Sequence, residues 1–212
     1  MMLRLYVADV SELPVSAAGL SLSDYRREKL SKTDDSRAFK LGLGAELLLL
    51  RALEDCEVEH SVPLAIKREG QGKPYIDALG VDFSLSHSGT KVMCAISDKP
   101  VGADIQILGP CRDAVVRRKL SQSEQYYVLN SDDRASAFTL IWALKESWLK
   151  MTGQGIAAGI DTVSVYPERD YYSVKGMDCG FFHASLENYK LALCLKGSPI
   201  PHNFTFNTIK LA

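Results

Sequence analysis

The chain has 212 residues, 46% of them hydrophobic and 24% charged, with a formal net charge of −1; this is the composition of a folded globular protein and excludes the disordered and fibrous classes. Residues 1–100 carry 13 basic and 15 acidic side chains and residues 101–212 carry 12 and 11, so neither half is a general polyanion binder and no nucleic-acid partner is expected. The cysteines Cys56, Cys94, Cys111, Cys179 and Cys194 show no CxxC spacing, nothing at the N-terminus resembles a signal peptide, and no segment approaches the roughly 18 apolar residues of a membrane span; a reduced, cytoplasmic protein without membrane association is expected.

In chain order, LRLYVADV alternates like a first strand. DYRREKL and the long apolar run after Ser36 read as two helices, divided near Thr33–Asp35 by residues of capping type. A short run at AIKRE and a turn at GQGKP lead to the strands DFSLSHS and KVMCAIS. GADIQI opens the second half as a strand, RDAVVRRKL and SAFTLIWALKESWLKMTG follow as helices, and DTVSVYP, GFFHASL and YKLALCL close it as strands. Helix then strands, twice over, predicts an α+β fold of two similar α/β lobes, residues 1–98 and 99–212. Cys94 and Cys194 fall in apolar strand runs and read as small core residues.

Four pieces carry possible chemistry. SLSHSG places hydroxyls, backbone N–H groups and the imidazole of His87 at one corner, a suitable grip for phosphate or simply a turn that satisfies itself. In VGADIQ, alternation points Asp104 and Gln106 to one face, and an aspartate inside a strand needs compensation, from a divalent cation or from a turn that it caps. In WALKESWLK, the helical stripe Thr139, Ala143, Glu146, Lys150 borders an apolar arc; Glu146 and Lys150 stand in the order of a helical ion pair, and Lys145 falls inside the apolar arc, where it must snorkel or find a partner. The basic residues Arg26, Arg27, Lys29, Lys32, Arg37 and Lys73 are by themselves ordinary surface.

GKP (72–74), FSLSHSG (83–89), VGADIQ (101–106) and FTLIWALKESWLKMTGQG (138–155), together with RREK (26–29), Arg37 and the YKLALC strand (189–194), resemble in order and spacing the motifs of the 4′-phosphopantetheinyl transferases of the surfactin type, the monomeric two-lobed branch of that superfamily. The resemblance implies a pseudo-dimer of lobes with the active site at their interface, a monomer in solution, and transfer of the phosphopantetheine arm of coenzyme A to a serine of an apo acyl or peptidyl carrier protein, releasing adenosine 3′,5′-bisphosphate. It implies Mg²⁺, or Mn²⁺, held by Asp104, Glu146 and the residue at Gln106. It further implies Glu146 as proton acceptor, Lys150 on the leaving phosphate, and Arg26, Lys29, Arg37, Lys73, Ser86 and His87 on the nucleotide, with Trp142 and Lys145 orienting the helix.

Gln106 departs from the pattern, since many relatives carry glutamate there; an amide can still lend an oxygen but removes one negative charge. The segment 107–125, with Arg112, Arg117, Arg118 and Lys119, reads either as a docking helix for an acidic carrier protein or as a plain amphipathic surface helix. A coenzyme A sensor with weakened catalysis and a structural interaction module are the competing readings.

Overall fold

The computed structural model describes residues 1–211 except 17–19, 71, 155–158, 168–170, 198 and 202; Gln71 of the GQGKP turn and Gly155 of the GQG stop lie outside the described residues. The first half supplies strand β1 (Leu3–Asp9), helices α1 (Asp24–Leu30) and α2 (Ser36–Asp55), and strands β2 (Asp82–Ser88) and β3 (Lys91–Ser97). The two helices separate where expected: the Ser23 hydroxyl caps α1 by accepting from Arg26 N–H, and the Asp35 carboxylate caps α2 by accepting from Arg37 N–H. The AIKRE run forms only one isolated bridge, between Lys67 and Tyr75.

The remainder supplies β4 (Val101–Ile107), α3 (Asp113–Lys119), α4 (Gln122–Leu129), α5 (Arg134–Thr152), β5 (Val165–Pro167), β6 (Tyr172–Val174), β7 (Cys179–Leu186), β8 (Tyr189–Lys196) and β9 (Asn207–Ile209). One sheet has the order β2-β3-β1-β9 and another the order β4-β8-β7, with β5 and β6 as a separate pair. Pairing is antiparallel throughout except that β9 runs parallel to β1. The fold is thus a mixed α+β arrangement, as the pattern predicts.

Several elements differ from the sequence reading: β6 was not expected, and of DTVSVYP only Val165–Pro167 is strand. Helix α4 was not expected, because QSEQYYVL has no apolar face and buries only Glu124 and Val128; a capping box between Ser121 and Glu124 starts it. Strand β9 is too short to show alternation. The expected Ser-His-Ser-Gly turn is instead strand through Ser88, with the reversal at Gly89, where φ is +60° and the Tyr189 ring fills the space that a side chain would need.

The core is layered. Tyr6 and Ala8 of β1 join Val92, Cys94 and Ile96 of β3 beneath Leu48, Leu49 and Leu53 of α2. The other side of the same strand, Leu3, Leu5 and Val7, packs with Met93 and Ala95 against Val101, Ala103, Ile105, Leu191, Leu193 and Leu195 of the second sheet. Helix α5 covers that sheet's far face with Leu140, Ile141, Leu144 and Trp148, meeting Ala192 and Cys194. Cys94 and Cys194 are buried core residues, as expected, and both are free thiols. Among the described residues no helix is long and apolar enough to cross a membrane.

Candidate active site

The chemistry-bearing residues gather where α5 crosses β4. Their proximity depends on Gly102: a Cβ at that position would collide with the Ser147 carbonyl oxygen and the Met151 backbone nitrogen, so only glycine lets helix and strand approach this closely. Two residues further on, Asp104 points to the same side of β4 and meets the Glu146–Lys150 turn of α5.

Asp104 is 2% exposed and its carboxylate is enclosed by donors. The Ser86 hydroxyl donates to Oδ1 at 2.7 Å, the Lys150 ammonium donates to the same oxygen at 2.6 Å, and the Gln106 amide donates to Oδ2 at 2.9 Å. The compensation that an aspartate in a strand requires thus comes from three side chains, and Asp104 sits mid-strand instead of capping a turn. Lys150 also donates to the Ala103 carbonyl at 3.1 Å. The helical ion pair open to Glu146 and Lys150 is not formed, because Lys150 turns to β4.

Glu146 is 4% exposed. Burial, and next the negative charge of Asp104, raise its pKa to about 7, against the opposing pull of Lys150. A carboxyl that titrates near neutrality beside a second carboxylate can exchange a proton at physiological pH or share a cation. Among the described residues no group of three or more His, Cys, Asp or Glu side chains could hold a metal ion by itself. Two carboxylates, with incoming phosphate oxygens and the Gln106 amide oxygen if the amide turned its nitrogen away from Asp104, would offer the all-oxygen donor set that suits Mg²⁺.

The expected nucleotide residues divide into two groups. His87 reaches solvent beside this centre; its enclosure, then the positive charges of Lys150 and Arg26, hold its pKa below the ordinary value, so the imidazole is neutral at pH 7. Arg26 is buried beside it and donates to Glu46 at 3.4 Å, while Glu46 is fully buried and also accepts from the Ser23 hydroxyl at 2.7 Å. Lys73 lies away from the carboxylates, donating to Asp82 and to the Val101 carbonyl at 2.7 Å, four residues along β2 from Ser86, or about 13 Å. Lys29 stands over the Tyr25 ring at 4.7 Å from its centroid, and Arg37 donates to the Gly89 carbonyl at 3.0 Å.

Glu124 is the residue that the sequence reading missed. It accepts from the Lys145 ammonium at 2.7 Å, from Ser121 N–H at 2.7 Å and from Val165 N–H at 2.7 Å, which joins α4, α5 and β5 at one fully buried carboxylate. This is the partner that Lys145 required in the apolar arc, and the Ser-x-x-Glu capping signature was the signal available for it. Trp142 leans on Phe138 at 5.7 Å between ring centroids, and the two line a cavity of about 360 Å³ with Gln106, Ile107, Pro110 and Val115.

Residues 100–194 match the family model of the 4′-phosphopantetheinyl transferase superfamily. That stretch holds Asp104, Gln106, Glu146 and Lys150, whereas Ser86 and His87 precede it. The chain is 34% identical over 132 residues to a 4′-phosphopantetheinyl transferase of Bacillus subtilis, covering 58% of this chain and 59% of the relative. It is 31% identical over 143 residues to the 4′-phosphopantetheinyl transferase Sfp of Bacillus subtilis strain 168, covering 63% and 64%. A third relative, the 4′-phosphopantetheinyl transferase ffp of Bacillus subtilis, is 26% identical over 196 residues, covering 87% and 86%. The alignments with the first two relatives span about three fifths of their length. Family model and relatives together show the phosphopantetheinyl transferase resemblance that the motifs carry.

Proposed function

We propose that the chain transfers the 4′-phosphopantetheine arm of coenzyme A to a serine of an apo acyl or peptidyl carrier protein, with adenosine 3′,5′-bisphosphate as the leaving product. The observation that carries this reading is the convergence of Asp104, Glu146 and Lys150 from β4 and α5, with Glu146 poised at about 7. The serine hydroxyl must lose its proton as it attacks phosphorus, and a carboxylate titrating near neutrality is suited to accept it. Lys150, held beside Asp104, is within the same cluster to neutralise charge on the departing phosphate. Asp104, Glu146 and Gln106 would hold Mg²⁺, which when bound supplies charge neutralisation on the pyrophosphate.

Nucleotide contact falls to His87, Arg26, Lys29, Arg37, Lys73 and Ser86, a set supported by the positive charges of Arg26 and Lys150 near His87. The two-lobed reading, with lobes 1–98 and 99–212, is supported by the matching sheet orders β2-β3-β1 and β7-β8-β4, each backed by one long helix. Carrier docking is assigned to 107–125. Arg112, Arg117 and Arg118 are exposed there and Ile107 and Leu108 reach solvent beside the Trp142 cavity, although Lys119 is already paired with Asp161. A monomer acting in the cytoplasm completes the proposal.

Mass spectrometry of several apo-carrier proteins incubated with the protein, coenzyme A and Mg²⁺ tests it. The expected result is the added mass of the arm on at least one carrier. Coenzyme A binding with no transfer to any carrier in single-turnover assay would overturn it in favour of a sensor.

A further inference from the structure

The seam between the two sheets is made by side chains. Asp82, Ser84, Ser86 and Ser88, the alternate residues of β2, accept in turn from the backbone N–H groups of Val101, Ala103, Ile105 and Ile107, at 2.8, 3.0, 3.3 and 3.0 Å. Each rung joins residues nineteen apart, so the ladder is fully in register. The Ser84 and Ser88 rungs end at the backbone, and Asp82 accepts from Lys73 as well. At the Ser86 rung the hydroxyl accepts from Ile105 N–H and donates a hydrogen bond to Asp104 Oδ1 at 2.7 Å.

We propose that Ser86 is the positioning residue for Asp104: it fixes the rotation of that carboxylate relative to the seam, so that Oδ1 is shared with Lys150 and Oδ2 stays turned toward Gln106. This deepens the transferase reading and rests on it. It adds to Ser86 a part beside nucleotide contact, since its hydroxyl donates to Asp104 Oδ1 and accepts from Ile105 N–H. A hydroxyl has three staggered positions for its proton, and only the one aimed at Oδ1 completes the ring Ser86 Oγ, Asp104, Ile105 N–H. Loss of the hydroxyl leaves Asp104 anchored by Lys150 and Gln106 alone, both on mobile stems.

The competing account is that Ser86 is one rung like any other, valuable only for stability. Ser84 is the control, since its hydroxyl is equally buried and accepts from Ala103 N–H in the same geometry without touching Asp104. Mn²⁺ affinity is read by electron paramagnetic resonance at a coenzyme A concentration that saturates each variant, alongside melting temperature. Ser84→Ala and Ser86→Ala should lower the melting temperature by similar amounts, while Ser86→Ala alone weakens Mn²⁺ about tenfold, the usual size of an effect transmitted through a ligand's hydrogen-bond partner. Equal Mn²⁺ affinities in the two variants overturn the proposal. If Ser86→Ala does not fold, the isosteric pair Ser86→Thr and Ser86→Val decides: threonine keeps the affinity and valine loses it, and equal affinities overturn the proposal. The Mn²⁺ readout needs no turnover, so a wild-type protein that modified no carrier would sink the transferase reading while leaving this comparison decisive.

Discussion

Lys150 donates to Asp104 at 2.6 Å, across to β4, in preference to Glu146 one turn earlier on its own helix. The ammonium thus neutralises one of two neighbouring carboxylates. Lys150→Met removes that partner from a carboxylate that is 2% exposed and should cost about 2 kcal/mol, less than a fully buried pair because the lysine is partly solvated. Mg²⁺ should restore more of the melting temperature in the variant than it adds to the wild type. Thermal denaturation with and without Mg²⁺ measures this, and identical Mg²⁺ increments would show that Lys150 does not stand in for the cation.

Glu146→Gln should abolish nearly all transfer while coenzyme A binding stays measurable, because the substitution removes the proposed proton acceptor and metal ligand but none of the proposed nucleotide contacts. Single-turnover transfer and calorimetric binding of coenzyme A give the two quantities, and turnover near the wild-type rate would remove Glu146 from the centre.

The same residue makes stability depend on pH. Its carboxyl is raised in the folded state to about 7 from 4.5, so the native protein holds this proton more tightly than the unfolded chain. Its contribution is therefore most favourable below pH 4.5 and is lost as pH rises through 7, by an amount on the order of 3 kcal/mol without metal. Denaturant unfolding at pH 5 and pH 8 should show this loss in the wild type, with little of it in Glu146→Gln or in saturating Mg²⁺. A loss of equal size in Glu146→Gln would place its origin elsewhere.

His87→Ala should weaken coenzyme A far more than dephospho-coenzyme A, by about tenfold against little change, since a phosphate hydrogen bond is worth roughly 1.5 kcal/mol. Because the imidazole is neutral near pH 7, phosphate binding should also draw in a proton, visible as a dependence of the calorimetric heat on the buffer. Equal losses for both ligands would take His87 off the 3′-phosphate.

Gln106→Glu replaces a donor to Asp104 Oδ2 by a second carboxylate. Without metal this variant should melt lower than the wild type through like-charge repulsion; with Mg²⁺ it should recover and reach half-maximal activity at a lower Mg²⁺ concentration. A Mg²⁺ titration at saturating coenzyme A checks the second point, and a midpoint that stays or rises would put position 106 outside the metal's shell.

Much of this centre is legible in the sequence. Helical periodicity puts Glu146 and Lys150 on one stripe, alternation puts Asp104 and Gln106 on one face, and of the two courses open to Lys145, snorkelling or a partner, the structure has the partner, Glu124. Periodicity is a local property, and what it could not give is long-range. The choice of Asp104 over Glu146 by Lys150 spans 46 residues. The β2–β4 ladder depends on a register of nineteen that no repeat advertises. Strand β9 owes its existence to the free edge of β1, since its own three residues show no pattern. The sequence leaves the serines of DFSLSHS open to gripping phosphate or to satisfying backbone, and all three hydroxyls accept from backbone N–H groups of β4, a long-range partner that the local pattern does not show.

That ladder has a consequence for how the protein behaves in a crowded solution. An unpaired strand edge is a template on which another chain can add, the first step toward aggregation. In β4 the outward N–H groups of residues 101, 103, 105 and 107 are all taken by short side chains from β2. Hydroxyls and a carboxylate can accept these protons without offering a backbone of their own for further pairing. The edge of β4 that carries Asp104 is thereby closed to foreign strands.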